Sequence, residues 1–132
     1  MSVKVFYQHR VDGPELVNHD KVVSTYHEAC DVIDNYPWAE EMEWFDKVGE
    51  GGGFFFVFGD EEDKYATFQF TPIDVDKGIL DLDVVIKSSF WNLFGRNTVS
   101  KNFDVMSIPE AKQQLKELFD YSIESLYRKY KK

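Results

Sequence analysis

Five glycines lie between Gly49 and Gly59 in the segment GEGGGFFFVFG. Glycine-rich loops can wrap phosphates with backbone N–H groups, but they do so between a strand and a helix N-terminus, usually with a Lys or Ser to complete the site. Here a strand-like run follows the glycines and no such Lys is present. The pattern therefore predicts a flexible hairpin or bulge that needs positive φ angles, not a nucleotide site. His27 and Cys30 lie three apart on a predicted helix and could touch, yet Cys30 falls on the apolar stripe, where a thiol behaves as a small inert hydrophobe.

Metal chemistry fares no better. His9, His19 and His27 lack ligand spacing of the H-E-x-x-H kind, and no second cysteine assists them. Asp60, Glu61, Glu62 and Asp63 resemble a calcium loop in charge alone, because the alternating D-x-D-x-D-G pattern is missing. Glu41, Glu43 and Asp46 on one predicted strand, with Asp81 and Asp83 on another, could supply paired carboxylates for acid–base work, but spacing alone does not bring them together. No catalytic residue, metal or cofactor is expected. Trp91 and Phe94, in SSFWNLFG, sit beside Asn92, Gly95 and Asn97 and read either as interface anchors on a loop or as a strand end tucked into the core.

The elements that must position these residues follow from periodicity and punctuation. Residues 3–10 alternate as a strand, ended by Asp12, Gly13 and Pro14. Thr25 and Glu28 form a capping box for a short helix over 26–35, closed by Pro37. Residues 42–48 read as a strand. Phe54 to Phe58, apolar on both faces, belongs in the middle of a sheet or under a helix and forms a hairpin with 65–71. After a turn over Pro72 to Gly78, Leu80, Leu82, Val84 and Ile86 alternate with Asp81, Asp83, Val85 and Lys87, and residues 98–106 add a last strand. Ser107 and Glu110 cap a final helix whose stripe runs through Ile108, Ala111, Leu115, Leu118, Phe119, Ser122, Leu126 and Tyr130. The prediction is one α+β domain over residues 1–132: a mostly antiparallel sheet of about five to six strands, packed by an early short helix and a long C-terminal helix.

Composition narrows the function classes. With 43% hydrophobic and 17% aromatic residues, the chain has too much core material to be disordered. A single cysteine, the absence of a leader pattern and the lack of any membrane-length apolar run predict a cytoplasmic protein that is not embedded in a membrane. The net charge of −9 disfavours nucleic acid and anionic lipid and favours basic partners. That charge is regional: residues 28–63 hold twelve carboxylates against Lys47 alone.

An early helix, the stretch GGGFFFVFG before paired strands and the closing SIPEAKQQLKELF helix resemble bacterial immunity proteins of polymorphic toxin and contact-dependent growth inhibition systems, in order from about residue 22 to 126. Such families share no catalytic residues. What the resemblance implies is a non-enzymatic role: tight binding to one cognate toxin, often a nuclease, in the cytoplasm of the protected cell. The charge agrees, since a nuclease presents a basic cleft to which a carboxylate-rich surface is complementary. The expected binding residues are Asp60, Glu61, Glu62, Asp63, Asp74, Asp76, Asp81 and Asp83, with Trp91 and Phe94 as anchors. The alternatives are a small-molecule-binding or enzymatic α+β domain, with a pocket between sheet and helices near His9 and Tyr7, and a single-stranded nucleic-acid binder, against which the net charge argues.

Overall fold

The computed structural model describes residues 2–87 and 97–131. Within them a six-stranded sheet has the order β2-β1-β3-β4-β5-β6, with every neighbouring pair antiparallel. The strands are β1 (Val3–Arg10), β2 (Leu16–Val23), β3 (Phe54–Gly59), β4 (Lys64–Asp74), β5 (Lys77–Ile86) and β6 (Asn97–Ser107). Between β2 and β3 the chain crosses one face of the sheet as α1 (Tyr26–Asp34) and α2 (Trp38–Val48). It ends in α3 (Ile108–Leu115), α4 (Glu117–Asp120) and α5 (Ile123–Tyr130). The fold is α+β with an open antiparallel sheet, as the sequence predicts.

Alternation decides which face is covered. Val3 and Val5, Phe54 and Phe56, Ala66, Phe68 and Phe70, and Leu80, Leu82 and Val84 lie in register on one face and are buried. Against them pack Ala29, Val32 and Ile33 from α1, Ala111 and Leu115 from α3, Leu118 from α4, and Ile123 and Leu126 from α5. The other face carries Lys4, Phe6, Phe55, Thr67, Gln69, Asp81, Asp83, Ser100 and Asn102. Both helix starts are capped as expected, but only the second cap is a reciprocal box, because the Glu28 carboxylate accepts from the Ser24 N–H and the Thr25 hydroxyl and not from the Thr25 N–H. Thr25 accepts from the Glu28 N–H, and Ser107 from that of Glu110, whose carboxylate in turn accepts from the Ser107 N–H.

Four expectations change. Residues 42–48 belong to a helix, not a strand: from Trp38 onward Trp38, Glu41, Met42 and Phe45 recur at three and four residues, and alternation appears only when the count starts at Met42. Gly49, at φ 74°, ends this helix by donating its N–H to the Phe45 carbonyl. The C-terminal helix is three pieces. Tyr121 is extended and Ser122, read as part of the apolar stripe, is instead an exposed cap that accepts from the Ser125 N–H. The break redirects α5 onto β4, β5 and β6. Strand β2 was not expected: only Leu16, Val17, Val22 and Val23 are apolar in it, and as an edge strand it needs little apolar surface. The turn after β4 is also tighter than expected, spanning Val75 and Asp76 alone.

Candidate functional site: an acidic end of the sheet

Strand direction separates the predicted carboxylates. The turn holding Asp60, Glu61, Glu62 and Asp63 joins β3 to β4 at one end of the sheet, whereas Asp74, which ends β4, and Asp76, in the β4–β5 turn, lie at the other. Eleven residues of β4 lie between, roughly 35 Å of extended chain. Asp81 and Asp83 stand on the uncovered face, where Asp81 accepts from the Asn102 amide at 2.6 Å and Asp83 from the Ser100 hydroxyl at 2.5 Å. The eight residues thus do not form one patch. Trp91 and Phe94 lie outside the described residues.

The two ends differ in charge. At the first, Lys4 lines a depression with Asp60, Glu61 and Glu62, Lys64 opens β4, and the Lys87 N–H donates to the Asp63 carbonyl. Bases thus lie among its carboxylates. At the second end, the β1–β2 turn brings Asp12 and Glu15, the α2–β3 loop brings Glu50, and the β4–β5 turn brings Asp74 and Asp76. The turns stand about three strand spacings apart, roughly 15 Å. Helix α2 adds Glu40, Glu43 and Asp46. All eight carboxylates are exposed, and among the described residues the exposed bases beside them are Lys47 and Lys77. Among the described residues none of the eight is in an ion pair.

This end is also apolar. Phe45 and Val48 on α2 are 41% and 47% exposed, and Ile73 and Val75 at the β4–β5 turn are 40% and 48% exposed. Exposed apolar groups within a charged rim are the composition of a protein-docking surface.

What fixes α2 here is a buried ion pair. The Glu41 carboxylate accepts from the Arg10 guanidinium at 2.7 Å and from the Arg10 backbone N–H at 2.8 Å. The same guanidinium donates to the carbonyls of Pro14 and Glu50, so one side chain ties the β1–β2 turn, α2 and the glycine loop together. Tyr36 donates to the Gln8 carbonyl at 2.7 Å, and burial pushes its phenol well above the usual range. Gly52 lies against that carbonyl, where a Cβ would stand 2.1 Å from the oxygen. The glycine run therefore serves close packing after a helix, the reverse of the order a phosphate loop needs; the segment's positive φ angles fall at its two ends, Gly49 and Gly59. Sequence spacing does not reveal the Arg10–Glu41 pair, 31 residues apart; the available signal was the helical period starting at Trp38.

The remaining candidates do not converge. Glu41 is buried with Arg10 while Glu43 and Asp46 are exposed on α2, away from Asp81 and Asp83 on the uncovered face. His27 is exposed and faces Asp31 at 3.7 Å, and burial pushes the Cys30 thiol up, away from thiolate. His9 and His19 stack at 4.1 Å beside Tyr7. Tyr7, His9, Lys21, Val32, Asn35 and Tyr36 line a recess of about 110 Å³, well below the size of ordinary small-molecule sites. Between sheet and helices, the seam formed by Ile33, Phe56, Phe70, Leu80, Ala111 and Leu115 has no room for water. Among the described residues no group of three or more His, Cys, Asp or Glu side chains could hold a metal ion, and no helix is long and apolar enough to cross a membrane. No protein-family model, curated protein or solved structure matches the chain.

Proposed function

We propose that this protein is a non-enzymatic, cytoplasmic immunity protein that neutralises a cognate toxin, a nuclease with a basic active-site cleft, by docking the acidic end of its sheet into that cleft. The observation that carries the reading is the coincidence at one end of eight exposed carboxylates, two exposed ammonium groups and the exposed side chains of Phe45, Val48, Ile73 and Val75. Long-range attraction speeds encounter with a basic cleft, and the apolar groups, desolvated on contact, slow release. The carboxylates stand on turns and on the outer face of α2, where they meet the partner without prior burial. Asp74 and Asp76 belong to this surface, while Asp60 to Asp63, placed among lysines, contribute less to its field. The test is growth rescue: the chain is co-expressed with toxic domains encoded beside it. Protection against one of them is expected, and failure to protect against any neighbour's toxicity overturns the reading.

A further inference from the structure

The two edges of the sheet are built differently. Along β6 the register with β5 shifts between Ile79 and Asp81, and Asp104 sits at φ 61°, so that edge is bent and poorly suited to pairing. Along β2 the register with β1 runs unbroken for eight residues, from Leu16 to Val23, with no proline, glycine or bulge. Val17 and Val22 are 39% and 61% exposed on it. Two adjoining troughs of about 470 and 430 Å³ follow this strand, sharing Phe6 and Asp20. Every second residue of an edge strand turns its N–H and C=O outward, which makes β2 a template for another strand.

We propose that β2 pairs antiparallel with β2 of a second copy of this chain, joining two sheets into one across a twofold axis. The sequence of the strand, LVNHDKVV, selects the register. Opposed residues in such a pair share a face, so their numbers must sum to an even value. With the axis at His19, Leu16 meets Val22 and Asn18 meets Asp20 on the uncovered face, and Val17 lies along the aliphatic stem of Lys21 on the other. Each match occurs twice. Moving the axis to Asp20 sets two carboxylates opposite each other, and moving it to Asn18 sets Leu16 against Asp20, so neighbouring registers are disfavoured. An isologous contact of this kind closes at two copies.

The arrangement also suits the charge. Rotation about an axis perpendicular to the sheet sends the two β1–β2 turns, and with them the two acidic ends, to opposite poles. Self-repulsion is kept low, and both ends stay free for partners.

Sedimentation equilibrium of the full chain, across the micromolar range at neutral pH, tests this directly. The expected result is a species of twice the 15.5 kDa chain mass as concentration rises. Asn18 is exposed, so its variants leave the fold intact, which thermal unfolding in dilute solution checks. Asn18→Asp places carboxylates opposite Asp20 at two positions and is expected to weaken the dimer by roughly tenfold. Asn18→Lys places an ammonium there and is expected to hold or tighten it. A chain that stays monomeric throughout overturns the proposal, as does a dimer affected equally by both substitutions or by neither.

Discussion

Arg10 and Glu41 neutralise each other in the interior with about 2% of either side chain exposed. A buried pair adds little net stability over an apolar pair of the same volume, but removing one partner strands the other charge. Glu41→Ala should therefore cost roughly 3–5 kcal/mol in urea unfolding. The double variant Arg10→Met with Glu41→Leu should recover much of that loss. If the double variant is as unstable as the single one, the pair acts through the hydrogen bonds to Pro14 and Glu50, not through charge balance.

Two glycines of one loop should respond differently to a methyl group. At Gly49 there is open space, and the cost of Gly49→Ala comes from φ 74° alone, about 1 kcal/mol. At Gly52 the new Cβ meets the Gln8 carbonyl oxygen at 2.1 Å and the Tyr36 hydroxyl at 2.9 Å. Relieving that overlap means moving the backbone and disturbing the Gly53 carbonyl, which accepts from the Gln8 N–H. Denaturant midpoints should rank Gly52→Ala clearly below Gly49→Ala.

Burial, and then the neighbouring His9, hold the His19 imidazole below its ordinary pKa of 6.5. Between the lowered folded value and 6.5 the unfolded chain binds the proton and the folded chain does not. This contribution to stability is complete above about pH 6.5, falls as pH drops through the window, and levels off below the folded value. His19→Gln should flatten the slope of unfolding free energy against pH in that window. An unchanged slope would show that His19 is as easily protonated in the folded chain as in the unfolded one.

Much of the fold was legible because local rules agreed with the global answer. The Leu80 to Ile86 alternation, the Thr25 and Ser107 cap signals and the doubly apolar Phe54 to Phe58 run placed the central strands and the starts of α1 and α3. The failures have physical causes. MEWFDKV satisfies both periods over seven residues; the helical period shows only when the count starts at Trp38, and it places a carboxylate, Glu41, in the stripe, which makes sense only once the distant Arg10 is beside it. Ser122 has the spacing of a core position but the chemistry of a cap. The acidic end was only partly legible: Asp74 and Asp76 stood out, while the grouping of Glu15, Glu43, Asp46 and Glu50 depends on strand order, which no local pattern encodes.

Apolar groups of the acidic end should act on release more than on encounter. Phe45→Ala removes a ring that is 41% exposed, and Val75→Ala trims a turn residue that is 48% exposed, so neither disturbs the core. If Phe45 anchors the complex, its truncation should raise the dissociation rate at least roughly tenfold, with the association rate held. Val75→Ala should follow in the same direction with a smaller effect. Equal rates for wild type and Phe45→Ala would remove Phe45 from the interface.

The most direct measurement is the association rate of the chain with the toxic domain it neutralises, taken at several salt concentrations for wild type and two charge-reversed forms. Reversing Glu43, Asp46, Asp74 and Asp76 to Lys should slow association by roughly tenfold or more at low salt and flatten its salt dependence. Reversing Asp60, Glu61, Glu62 and Asp63 adds the same number of charges at the opposite end and should have a much smaller effect. If the first reversal leaves the rate and its salt dependence unchanged, or if the second slows association as much as the first, the acidic end is not the docking surface.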